Sequence, residues 1–102
     1  MASKVLSAKR QNVPVVYDFL DGTSTSITVQ SISTNEAKDI NAYAQQDGKT
    51  GSDLFEKIVR MHLILNEAEV VNRIIKELYE EGNVMDFVKA LEAIISEAKQ
   101  GK

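Results

Sequence analysis

The chain has 102 residues, a net charge of -3 and no cysteine, so it is long enough for one domain that buries roughly 60 to 70% of its unfolded surface. Its pI near 5.1 opposes attraction to phosphate backbones, which excludes nucleic acid as the expected partner. Disulfides and thiolate metal sites are excluded outright. With 43% hydrophobic and 26% charged residues, the composition is that of a globular protein without a membrane span. The start, "MASKVLSAKRQN", lacks the apolar core of a secretory signal. Cytoplasmic location is therefore expected.

Residues 1 to 12 carry Lys4, Lys9 and Arg10 and no acid. They read as a basic, flexible segment ahead of a single domain over 13 to 102. "VPVVYDFL", residues 13 to 20, is rich in β-branched and aromatic residues, and the turn formers "DGTSTS" separate it from "SITVQSI", residues 26 to 32. This is a hairpin over 13 to 32. Ile27 and Val29 mark its buried side, and the broken alternation before Ile32 predicts a bulge near Gln30 or Ser31. Pro14 fits the beginning of a strand, where a missing amide hydrogen is tolerated.

From residue 33 to 100 the period becomes helical. Ser33 with Glu36, Asn66 with Glu69 and Asn83 with Asp86 each set a capping side chain three residues before an acid, the spacing that starts a helix. A fourth start lies near Ser52, after "DGKTG". The predicted helices cover 34 to 46, 53 to 65, 67 to 81 and 84 to 99. The fold class is α+β: an N-terminal β-hairpin followed by a bundle of three to four α-helices. At Asn66 a tight turn or kink is expected, with a continuous helix through it as the alternative.

His62, the one histidine, lies at the margin of an apolar helix face formed by Leu54, Phe55, Ile58, Val59, Met61 and Leu65. Catalysis would need a nucleophile, an orienting carboxylate or further ligands, and neither His-Glu-x-x-His spacing nor a second histidine is present. A packing role is expected. No catalytic residue, cofactor or metal is assigned. Glu77 and Glu81 stand four apart in a charge-mixed helix end and are expected to be solvated. "DGKTG" lacks phosphate-loop spacing and reads as a linker.

The last two helices carry apolar doublets at 70/71, 74/75, 78/79, 87/88 and 94/95, wider than the arc of about 100° that one neighbour requires. The surplus points to a partner groove, to a homo-oligomer contact or to cover by the hairpin. Val71, Ile75, Tyr79 and Phe87 are the candidate contact residues.

A polar-tipped hairpin leading into "ITVQSISTNEAKDI", then an acidic helical remainder, resembles the small tail assembly chaperones of tailed bacteriophages. Longer members of that family have a C-terminal region with no counterpart here. The resemblance implies a non-catalytic protein that holds apolar segments of the tape-measure protein in solution until tail-tube subunits assemble in the host cytoplasm. It supplies no catalytic residue. A generic helical adaptor or regulatory subunit fits the same stripes, and a small enzyme using His62 is the third reading.

Overall fold

A computed structural model describes residues 8 to 100. Two strands, β1 (Asn12–Asp18) and β2 (Ser24–Gln30), form an antiparallel hairpin, and four helices follow: α1 (Thr34–Ala44), α2 (Gly51–His62), α3 (Ala68–Glu80) and α4 (Val84–Gln100). This is the α+β arrangement that the change of period predicts. The shortest dimension, 21 Å, is that of a sheet layer resting on a helix layer.

The hairpin follows from alternation. Val13 pairs with Val29, Val15 with Ile27 and Tyr17 with Thr25, so the odd-numbered side chains form the inner face. Ser31 N–H donates to the Gln11 carbonyl at 2.9 Å, which carries the register past the strand ends without interruption. The bulge expected near Gln30 is absent, because Ile32 lies beyond the strand and does not have to share its face. The connecting loop turns on Gly22, whose φ of 91° suits a residue without Cβ. Asp21 Oδ1 fastens the loop by accepting from the Thr23 N–H at 2.9 Å and from its hydroxyl at 2.6 Å.

Two helices begin on reciprocal capping boxes, Ser33 with Glu36 and Thr50 with Asp53. The second begins ahead of the expected start near Ser52, since Thr50 has the Thr-x-x-Asp spacing that lets each partner satisfy the other's N–H. Asn83 caps α4 by accepting from the Asp86 N–H at 3.1 Å. Asn66 does not cap α3. Glu67 occupies that position without a side-chain cap bond, and the Asn66 amide is engaged elsewhere. α2 ends at His62, and residues 63 to 67 form the turn that the sequence predicts in place of a continuous helix.

The core is one cluster drawn from both layers: Phe19, Ile27 and Val29 from the hairpin, Val59 and Leu63 from α2 and its end, Ile74 and Leu78 from α3, Val88, Leu91 and Ile95 from α4. Each fully buried aliphatic side chain contributes about 1.5 to 3 kcal/mol relative to exposure. The basic segment expected over 1 to 12 falls largely on residues 1 to 7, outside the described residues. Its end is anchored, for Arg10 bonds Gln30 at 2.6 Å and Glu36 at 3.2 Å, and Asn12 already belongs to β1.

Candidate functional site

His62 is 4% exposed, and its Nδ1 lies 2.8 Å from the Gln30 carbonyl. A carbonyl only accepts, so Nδ1 carries a proton and donates it. Nε2 is buried and has no hydrogen-bond partner among the described residues. The ring sits at the base of a cleft of about 320 Å³ that Ser31, Glu92, Ser96 and Lys99 also line. None of these donates to or accepts from the imidazole. What His62 does visibly is hold the end of β2 against α2.

Asn66 performs the same task one turn further on. Its Oδ1 accepts from the Thr28 N–H at 2.8 Å, and its Nδ2 donates to the Thr28 carbonyl at 2.8 Å and to the Leu63 carbonyl at 3.0 Å. Thr28 lies opposite Pro14 in the register, a pair whose main-chain groups point away from each other. The outer edge of β2 is therefore engaged at Thr28 and Gln30 by two side chains from the α2–α3 joint.

The four candidate contact residues are divided by the fold. Val71 and Ile75 are buried in the core, which corrects the expectation that they offer accessible contact surface. The physical reason is that a domain this small uses its doublets internally: α2 and α4 pack against α3, and the hairpin tip reaches it through Tyr17, Phe19 and Leu20. Phe87 is half-buried and meets the Tyr17 ring edge-on, with centroids 6.0 Å apart. Tyr79 alone stands out, 51% exposed.

Glu77 also departs from expectation. Its side chain is only 11% exposed, because it accepts from the Tyr17 hydroxyl at 2.9 Å and from the Leu20 N–H at 3.1 Å. Burial, followed by the hydrogen bond to Glu77, pushes the Tyr17 hydroxyl up to about 12. Glu77 thus ties the hairpin tip to α3, where Arg73 adds an ion pair to Asp21 at 2.7 Å and stacks over Phe19 at 3.8 Å. Glu81 is exposed, as expected.

Tyr79 lines a groove of about 460 Å³ where the start of α2 meets the α3–α4 turn. Phe55, Leu78, Val84 and Met85 give it an apolar lining, and Thr50, Ser52 and Asn83 a polar one. The Tyr79 hydroxyl donates to Glu56 at 2.9 Å, which fixes the ring at the rim. Burial and that bond raise its pKa above the ordinary tyrosine value. The groove mixes an apolar bed with hydroxyl and amide groups, the composition of a surface that takes a side chain from another molecule. Phe55 and Met85 have no contact role in the sequence reading, because nothing local reports that residues about thirty positions apart will share a wall. Among the described residues, no group of three or more His, Cys, Asp or Glu side chains could hold a metal ion, and no helix is long and apolar enough to cross a membrane.

Comparison of the chain with protein-family models, with curated proteins and with solved structures finds no match.

Proposed function

We propose that the chain is a non-catalytic protein-binding domain whose contact surface is the groove between the start of α2 and the α3–α4 turn. The observation that carries this reading is the placement of exposed Tyr79 and Met85 over an apolar bed of Phe55, Leu78 and Val84. An exposed aromatic fixed at its hydroxyl, beside a flexible thioether, suits an apolar segment of another protein. Glu56 at the rim, with Glu80 and Glu81 directly after Tyr79 in the chain, favours a segment flanked by basic residues. Of the partners that the resemblance to tail assembly chaperones implies, the tape-measure protein has the apolar segments such a groove would take. A catalytic reading through His62 has less support, since its Nδ1–H is already committed to a strand carbonyl.

The test is co-expression with a tape-measure protein. The wild-type chain is expected to keep that partner in the soluble fraction, and the variant Tyr79→Asp/Met85→Asp to lose this capacity with unchanged helical circular dichroism. Equal solubilisation by a folded variant would remove the groove from the mechanism. Failure of the wild-type chain to retain the partner would leave an adaptor for another protein as the surviving alternative.

A further inference from the structure

The two edges of the hairpin are treated differently. Beside β2, the Asn66 amide occupies both main-chain groups of Thr28 and His62 occupies the Gln30 carbonyl. Among the described residues, β1 has no such cover. The bonds Ser31 N–H to Gln11 carbonyl and Phe19 N–H to Thr23 carbonyl make the odd-numbered residues the hydrogen-bonded pairs, so Asn12, Pro14, Val16 and Asp18 turn their main-chain groups outward. Val16, in the middle of this edge, is 68% exposed, and an edge with outward main-chain groups is a template for another strand.

We infer that β1 is a dimerisation edge, which pairs antiparallel with β1 of a second copy of this chain about a two-fold axis at Val16 and makes one four-stranded sheet from two hairpins. This inference is independent of the groove. Three features select a second copy over a foreign strand. First, self-pairing about Val16 lets the two Val16 residues exchange both main-chain bonds, while Asp18 N–H donates to the Pro14 carbonyl of the other copy. Pro14 accepts that bond through its carbonyl but has no N–H to return to the Asp18 carbonyl, so the ladder ends there.

Second, charge runs along the edge. Lys9 and Arg10 stand before β1, and Asp18 and Asp21 stand at its far end. Antiparallel pairing lays the basic start of one strand along the acidic tip of the other, twice by symmetry, whereas parallel pairing superposes the acidic tips. Arg10 and Asp21 keep their internal partners Glu36 and Arg73, so the arrangement sets orientation and does not depend on a new ion pair. Third, Thr28 and Gln30 on the other edge are already engaged by Asn66 and His62, so among the described residues β1 offers the longer run of outward groups, and a two-fold pairing through it closes at two copies. A two-stranded sheet is marginal alone, and the shared sheet relieves that.

The test uses the full chain, its lack of cysteine and light scattering coupled to size exclusion. Wild type is expected at twice the 11.3 kDa chain mass. Val16→Pro removes an outward N–H that β2 never uses, as Pro14 already does, and is expected to give the monomer mass with unchanged circular dichroism. Val16→Cys brings two cysteines onto the axis with Cα atoms about 5.5 Å apart, within disulfide reach. Mild oxidation is expected to convert it to a covalent dimer, while Ser26→Cys, on β2, remains uncrosslinked. A wild-type monomer at about 1 mM, a concentration that would reveal even very weak pairing, overturns the inference. So does a Val16→Pro variant that stays dimeric, or crosslinking through Ser26→Cys in place of Val16→Cys. Should Val16→Pro fail to fold, the two cysteine variants decide alone.

Discussion

Asn66 binds Thr28 as a neighbouring strand would, accepting from its N–H and donating to its carbonyl at 2.8 Å each. A primary amide is the side chain that can do both at once, because it carries acceptor and donor on one carbon. Asn66→Asp keeps the acceptor but turns a carboxylate oxygen toward the carbonyls of Thr28 and Leu63. The expected loss is about 2 kcal/mol in urea unfolding, with faster amide exchange at Thr28. Unchanged stability of this variant would show that the joint is not held by the amide.

His62 is expected to be the Nδ1–H tautomer, which nitrogen chemical shifts read directly. Replacement by Ala removes the bond to Gln30 and leaves a cavity, at a cost of about 2 to 4 kcal/mol. Replacement by Phe fills the space and also removes the partnerless Nε2, so its cost is expected to stay near 1 kcal/mol. A Phe variant as unstable as the Ala variant would mean that the Gln30 bond outweighs packing here.

Adjacent helical doublets should diverge under the same substitution. Ile75 is buried and Tyr79, one turn on, is exposed. Ile75→Asp puts an unpaired carboxylate into the core and is expected to unfold the domain at room temperature, since burying a lone charge costs several kcal/mol or more. Tyr79→Asp is expected to stay folded, with a change below about 1 kcal/mol. Circular dichroism and thermal melts separate the two.

The hairpin tip predicts the behaviour at both pH extremes. With its hydroxyl raised from 10.0 to about 12, Tyr17 keeps its proton in the folded chain at pH values where the unfolded chain has lost it. Its contribution to stability is complete below pH 10 and disappears as the pH rises toward 12. Asp21 has the opposite sign. The Thr23 hydroxyl and N–H, and then Arg73, lower its carboxyl from 3.8 to about 2, so its contribution is present above about pH 3.8 and is lost as the pH falls through about 2. Ultraviolet titration of Tyr17 and carboxyl shifts of Asp21 check both. Glu77→Gln is expected to bring Tyr17 part of the way back toward 10, and Thr23→Val to raise Asp21.

The elements were legible because each is written locally. Val13, Val15 and Tyr17 alternate, Ser33 and Glu36 stand at cap spacing, and "DGTSTS" sets Gly22 in the hairpin turn. Asn66 misled for the same reason: its spacing to Glu69 is a cap signature, yet its partner is Thr28, 38 positions away, and no local pattern reports that. Glu77 reads as surface because its neighbours are charged, while its burial comes from Tyr17 and Leu20 across the domain. The width of the apolar stripes was visible, but not how much of it the neighbouring helices and the hairpin tip would cover. Val71 and Ile75 went to the interior for that reason, and the groove around Tyr79 was legible at one residue only.

α1 has no buried residue and packs on α2 alone among the elements. Its Tyr43 ring lies under the Lys49 and Lys57 ammonium groups at 4.9 and 5.0 Å, contacts that water and salt weaken readily. An 11-residue helix is near the lower limit for persistence without tertiary support. Its first turn is pinned by the Ser33 box and by Arg10 on Glu36, while its last turn runs into a loop. The domain is therefore expected to open in two tiers: α1 peels from its C-terminal end in a low-energy local opening that leaves the core closed, and the rest opens together. A protease given the native chain should meet the 45 to 50 connection first and leave the hairpin and the last three helices associated.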